Sequence, residues 1–363
     1  MTHRFPIKEI ALQSGLSTAT VDRVLNDRAN VSPQTRRRVR DAIDELMRQE
    51  GQLAARGRRI FIDIIVEAPA RFSREIEKAV HAGLSRLAPL AIRPRFSFFE
   101  RLSPEACAAE LRRVRKRGSQ GVCLKAQDAG PVRDAIATLS GQNIPVVTVF
   151  TDCPGSARVA YAGLNNTRAG QTAAYLMDQW LDKNAQTVLT TLSQHSFQGE
   201  EERFQGFKTH LVERRPQIKL IDASGGGGLN MNTARKVADL VGSSQPVDGV
   251  YSMGGGNLAI LDALQKAGQT PSVFIAHDLD EDNLGLLESR QLTIALYHDL
   301  QEDMLAAFRH ILAFQGIGEP PALSQSDIQI VTPMNIPSSQ EQAARVKRRA
   351  ADTLPVPSQG KSP

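Results

Sequence analysis

From Ile60 to Thr332 the chain alternates short β-rich runs with single helical stretches, and this alternation limits the fold more than any other feature. IFIDIIV, RFSFF, GVCLK and IPVVTVF come first; after Tyr161-Ala162-Gly163 follow QTVLTTL, IKLIDA, VDGVYSM, SVFIAH and LTIALYH. Repeated strand, helix, strand order dictates parallel sheets with helices on both faces. Nine or ten such runs exceed one comfortable sheet, so two similar lobes are expected. The last run, Asp327 to Thr332, returns to complete one of them. A chain of 363 residues has room for both lobes and a further small domain.

The first 50 residues have a different character. Ile7, Ile10 and Ala11 fall at helical spacing after Pro6, and Gly15 ends the run. Ser17 can cap a second helix reaching about Asn26, with Val21, Val24 and Leu25 on its inner face. Ser32-Pro33 opens a third, striped by Val39, Ile43 and Leu46. Ala11 is small enough for a close helix crossing, Gly15 permits a left-handed turn and Leu16 plugs it. That is a helix-turn-helix, whose second helix lies in the major groove of DNA. Thr18, Ala19, Asp22 and Arg23 then point outward to base edges or phosphates. Ser17 offers a hydroxyl and backbone N–H groups to a phosphate oxygen.

Charge follows the same division. Of the net charge of +5, residues 1–59 supply 12 basic and 7 acidic side chains, and the body beyond them is slightly acidic. A basic head suits phosphate, whereas a near-neutral body does not wrap DNA along its length. Cys107, Cys123 and Cys153 lie far apart, form no C-x-x-C pair and read as reduced thiols. No metal or cofactor is expected. No apolar run reaches the ~18 residues of a membrane span. MTHRFPIKEI lacks the apolar stretch of a secretory signal, which points to the cytoplasm.

IKEIALQSGLSTATVDRVLNDRANVSPQTRRRVRDAIDEL resembles, without a gap, the DNA-binding head of the lac repressor family. The match runs through A-x3-G-[LV]-S-x2-T-V-x-R-V-L-N and V-S-x2-T-R-x2-V. This resemblance implies base reading by Thr18, Ala19 and Arg23. It implies phosphate contact or ordering by Ser17, Thr20, Asn26 and Thr35. Thr20 and Asn26 also read as capping or packing residues, and Arg23 as a solvated arginine. Asp22 stands where many relatives carry serine, and is expected to shape operator choice by accepting from a cytosine amino group or orienting Arg23. Relatives carry a Y-x-P-N-x2-A-x2-L hinge whose leucine enters the minor groove. MRQEGQLAARGRR departs from it; Leu53 is the nearest wedge, with Arg56, Arg58 and Arg59 able to follow phosphates.

From Ile60 to about Pro337 the chain resembles the periplasmic sugar-binding-protein fold, of the ribose-binding type, which that family reuses as an effector domain. The resemblance implies two α/β lobes closing on a ligand at the carboxyl ends of their strands. Polyols need directional hydrogen bonds, as Asp and Arg supply, and an apolar face to lie on. The candidates are Phe72 after the first run, Asp152 and Arg158 past IPVVTVF, and Arg203 in GEEERFQGF. Asn257 follows VDGVYSM, while Asp278 and His298 close SVFIAH and LTIALY. Plainer readings stand beside these: Phe72 as core, Asp152 and Arg158 as a mutual pair, Arg203 paired with Glu200 or Glu201, Asp278 as a helix cap, His298 as a surface histidine. The glycine runs 225–228 and 254–256 fit neither dinucleotide nor P-loop patterns and read as flexible turns.

The expected architecture is therefore α/β: a helix-turn-helix head (1–48), a linker (49–59), a two-lobe body with parallel sheets (60–336) and a mobile tail (337–363). The expected function is transcription regulation, by default repression, through operator DNA and a small sugar-like effector, in a homodimer without membrane contact. One rival is an enzyme with a DNA-binding appendage, which no metal cluster, nucleophile elbow or Ser/His/Asp set favours. The other is a ligand-independent DNA-binding protein whose body is a dimerisation scaffold, a reading the atypical hinge favours.

Overall fold

Three helices form the head in the structure, a computed structural model that describes residues 5–28, 31–55, 59–241, 246–322 and 325–337, with backbone alone over 48–55. Helix α1 (Ile7–Ser14) stops at Gly15, whose φ of 63° turns the chain left-handed. Helix α2 (Thr18–Leu25) starts under a cap: the Ser17 hydroxyl accepts from the Thr20 N–H at 3.1 Å. Ser32 does the same for the Thr35 N–H at the start of α3 (Pro33–Ala55). Ile10, Ala11, Val21 and Val39 are buried together, and Leu16, Val24, Leu25, Ile43 and Leu46 pack around them. These are the apolar positions that helical spacing selects. Helix α3 runs on to Ala55, into the stretch expected to be linker. The side chain of Leu53, and Arg56 and Arg58 altogether, lie outside the described residues.

Lobe one is built on β1 (Arg59–Glu67), β2 (Ala91–Phe99), β3 (Gly121–Lys125), β4 (Val146–Val149) and β5 (Ala160–Leu164), all parallel in the order β5-β4-β3-β1-β2. Lobe two repeats the plan with β6 (Thr187–Thr191), β7 (Lys219–Asp222), β8 (Gly249–Ser252), β9 (Val273–His277) and β10 (Ile294–Tyr297), in the order β10-β9-β8-β6-β7. Central strands such as β3, β4, β8 and β9 are buried at every residue, which is why they read as mainly apolar runs without alternation. Helices α4 (Ala70–Gly83), α5 (Pro104–Arg117) and α6 (Gly130–Ser140) cover the first sheet. The second carries α7 (Asn166–Trp180), α8 (Gln198–Arg214), α9 (Asn230–Val241), α10 (Asn257–Lys266) and α11 (Glu281–Glu288).

The chain passes between the lobes three times. It leaves lobe one after β5, and returns after β10 as α12 (Leu300–Phe314), whose Met304, Leu305, Phe308 and Ile311 join the first lobe's core. After β11 (Gln325–Ser326), which extends the first sheet along β5, it crosses again to β12 (Gln329–Val331), antiparallel to β10. The run expected to complete one lobe does so as β12, and the two residues of β11 complete the other. These three connections bring the carboxyl ends of both sheets to face each other. No helix among the described residues is long and apolar enough to cross a membrane.

Candidate ligand cavity and DNA-reading helix

Because every strand but the last runs parallel, the chain emerges from both sheets into the space between the lobes. Glu67 (end of β1), Lys125 (end of β3), Phe150 (after β4), Ser193 (after β6), Met253 (after β8) and Asp278 (after β9) line one cavity there. The free space it encloses is about 60 Å³, smaller than the ~300–1,000 Å³ of ligand-filled sites, so a ligand must part the lobes to enter. Phe72 and Phe150 meet edge to face with centroids 5.5 Å apart, giving the cavity an apolar wall.

Arg203 enters from α8 and is buried. Its Nε donates to Asn166 Oδ1 at 2.7 Å and its Nη1 to the Met253 carbonyl at 3.3 Å, so it does not pair with Glu200 or Glu201. The guanidinium reaches this place because α7 and α8 touch backbone to backbone. A Cβ on Gly170 would lie 2.0 Å from the Arg203 carbonyl oxygen, and one on Gly206 2.3 Å from that of Thr167.

Asp278 has a left-handed φ of 70°, a costly conformation for a residue with a side chain. Asn283 holds it, donating through Nδ2 to the carbonyls of His277 (2.8 Å) and Asp278 (2.9 Å). Asn257 in turn donates to Asn283 Oδ1 at 2.6 Å. Asn257 therefore stands behind the cavity and positions Asp278. His298, fully buried, bonds Asp303 at 2.5 Å through Nδ1 and faces Asp278 Oδ1 at 3.5 Å through Nε2. Burial opposes the charged imidazolium, but Asp303 and Asp278 outweigh it and raise His298 to about 9. Burial likewise opposes the Asp278 carboxylate, yet His298 and Arg203 hold it below its ordinary value.

A raised histidine stabilises the fold while protonated, so its contribution is complete below pH ~6.5 and is lost as pH rises through about 9. The loss is bounded by roughly 3 kcal/mol, from 1.36 kcal/mol per unit. Urea unfolding at a series of pH values is expected to show this decline, and His298→Gln to flatten it. An equal decline in the variant would assign it to other groups.

On the head, Thr18, Ala19 and Arg23 are exposed on α2. Ser17 and Thr20 share a hydroxyl contact of 2.8 Å, as do Ser32 and Thr35, so these side chains cap helices. Asp22 accepts from Asn26 Nδ2 at 2.8 Å and pairs with Arg28 at 3.3 Å. Asp22 thus ties down one amide and one cation beside the reading face. Asp22→Ser is expected to release both, to alter base preference, and to steepen the slope of log affinity against log salt by about one. A base-substitution scan and salt slope unchanged by the variant would contradict this.

The family model for the periplasmic binding protein domain matches residues 98–311, and that for bacterial regulatory proteins, lacI family, matches residues 6–47. The chain belongs to the periplasmic binding protein domain family and carries a lacI-family head. It is a DNA-binding regulator with a sugar-binding-like body. No curated protein matches the chain. Among solved structures, GanP, a glucose-galactose binding protein from Geobacillus stearothermophilus, is 17% identical with a TM-score of 0.68, covering 77% of this chain and 99% of its own. An ABC transporter solute binding protein from Burkholderia graminis, in complex with D-arabinose, is 19% identical with a TM-score of 0.69, covering 78% and 98%. A proposed LacI transcriptional regulator from Bacteroides fragilis is 14% identical with a TM-score of 0.66, covering 77% and 98%. At these identities the likeness is one of fold.

In this chain with its lacI-family head, Phe72, Arg203, Asp278 and His298 line the cavity together. Asp152 and Arg158 do not line it. They form a two-pronged ion pair with each other, and Thr148 and the Cys153 N–H also bind Asp152. Sequence reading missed Glu67, Lys125, Glu200 and His277. Glu67, Lys125 and His277 are the last residues of their strands, so a polar residue closing an apolar run was the available signal. Burial pushes the Lys125 ammonium down against the pull of Glu200 and Glu67, pushes Glu200 up, and holds His277 neutral, its Nε2 bonded to the Tyr251 hydroxyl at 2.8 Å. The glycine runs are turns at the cavity, with Gly227, Gly254 and Gly255 in its lining.

Proposed function

We propose that the chain is a repressor whose operator affinity is set by a small carbohydrate held between its lobes. One observation carries the reading. Asp278 Oδ1 and His298 Nε2 are buried at the cavity and face each other at 3.5 Å without a hydrogen bond, beside the buried guanidinium of Arg203. Unsatisfied buried polar atoms are costly, and hydroxyl groups, which both donate and accept, satisfy such a mixed set. Phe72 and Phe150 supply a face for a sugar ring. The glucose-galactose binding protein and the D-arabinose complex of similar fold support the same class.

Three chain crossings let the lobes change their arrangement as a ligand fills the space between them. In a two-fold homodimer on a pseudo-palindromic operator, such a change alters the spacing or order of the two heads. Thr18, Ala19 and Arg23 would read bases there. Ser17, Thr20, Asn26 and Thr35 would order the phosphate contacts, and Leu53 would serve as the minor-groove wedge.

The test is a thermal-shift panel of pentoses, hexoses, sugar alcohols and sugar acids on the full chain. Specific stabilisation by a carbohydrate is expected, since binding to the folded state alone raises its stability. No shift across the panel would overturn the carbohydrate reading.

A further inference from the structure

We infer that the ligand is a sugar carboxylate, an aldonate or a uronate, and that Lys125 and Arg203 receive its carboxylate. This rests on the carbohydrate reading above and narrows it.

Both cations are more than nine-tenths buried, Lys125 with 9% and Arg203 with 6% of its surface exposed, and both line the cavity. Lys125 donates to the Glu67 carbonyl at 2.8 Å and sits 3.9 Å above the centre of the Phe197 ring. Arg203 meets the Asn166 amide oxygen and the Met253 carbonyl. Every protein acceptor these cations touch is thus neutral, and neither forms an ion pair with a carboxylate among the described residues. An ammonium has three donors and a guanidinium five. The protein engages one on Lys125 and two on Arg203, leaving donors of both to the cavity.

The buried carboxylates around the same cavity are engaged, while Glu100 in its lining is exposed to solvent. Glu67 accepts from the side-chain amides of Gln127 and Gln194, and Glu200 from the Ser193 N–H and hydroxyl. Asp280 pairs with Arg71 at 2.8 Å, and Asp278 faces the cationic His298. Lys125 and Arg203 thus offer the cavity open cationic donors, beside the acceptor Oδ1 of Asp278. A neutral polyol leaves two buried cations without an anionic contact. One carboxylate gives them two strong acceptors in charge-assisted bonds. A phosphate fits less well, because its second charge would lie among Glu67, Glu200, Asp278 and Asp280.

Calorimetric titration of the full chain decides the matter. D-glucose is set against D-gluconate, D-glucuronate and D-glucose 6-phosphate, D-galactose against D-galactonate and D-galacturonate, and D-arabinose against D-arabinonate. At least one acid is expected to bind about tenfold or more tighter than its neutral parent. Lys125→Gln is expected to bring that ratio close to one. The wild-type ratio needs no variant and stands even if Lys125→Gln fails to fold.

Neutral sugars binding as tightly as their acids would overturn the carboxylate assignment and leave the carbohydrate reading standing. So would a phosphate that binds tightest, or a Lys125→Gln chain that folds and keeps the full preference. Binding of none of these compounds would overturn the carbohydrate reading and this assignment with it.

Discussion

Gly170→Ala is expected to destabilise the chain by about 3 kcal/mol or more, the upper range for overpacking, because the obstruction is backbone. The added methyl would stand 2.0 Å from the Arg203 carbonyl oxygen and 2.8 Å from the Phe207 nitrogen, so α7 and α8 must move apart. No rotamer change relieves such a contact. The displacement also carries Arg203 out of the cavity, so the variant should lose ligand binding along with stability. Gly285→Ala is the control. It lies in α11 with nothing within 4 Å of its Cβ position, and should gain up to ~1 kcal/mol from helix propensity. Urea unfolding of the two variants measures the contrast. A Gly170→Ala chain as stable as the wild type would mean that the helices are not in backbone contact.

The second large effect concerns ligand affinity. Arg203→Met preserves much of the buried volume while removing every donor, and leaves Asn166 Oδ1 without its partner. The affinity for any carbohydrate that stabilises the wild type should fall about 100-fold or more, the scale of one or two hydrogen bonds to a charged group. Arg203→Lys should recover little of it, since a point charge on a flexible stem cannot replace the planar fork between Asn166 and Met253. Calorimetry reads both. Undiminished affinity in a folded Arg203→Met chain would remove this arginine from the ligand's surroundings.

The strands were legible because their middles are mainly apolar, and the head because its inner residues keep helical spacing around a left-handed glycine. What sequence reading passed over has physical reasons. β11 and β12 are two and three residues long, and nothing local tells which lobe each will join. Asp152 follows an apolar strand just as Asp278 does, yet its partners Thr148 and Arg158 are only four and six residues away, and this local pair satisfies it. Asp278 instead turns left-handed into the cavity, held by Asn257 and Asn283, which come from two different helices. Lys125 and Glu67 lie within their strands, not in the loops beyond, and only the facing of the two lobes turns such a final strand residue toward a cavity. Distant partners decide such cases, and they become visible only when the two lobes meet.

Operator affinity, measured with and without a stabilising carbohydrate, bears most directly on ligand-controlled DNA binding. Fluorescence anisotropy on an operator selected from random duplexes, at fixed salt, gives the first titration; calorimetry of the carbohydrate against free and operator-bound chain gives the second. Saturating carbohydrate is expected to change operator affinity by about 5- to 150-fold, and operator to change carbohydrate affinity by the same factor. Two ligands that each bind with an affinity indifferent to the other would contradict it.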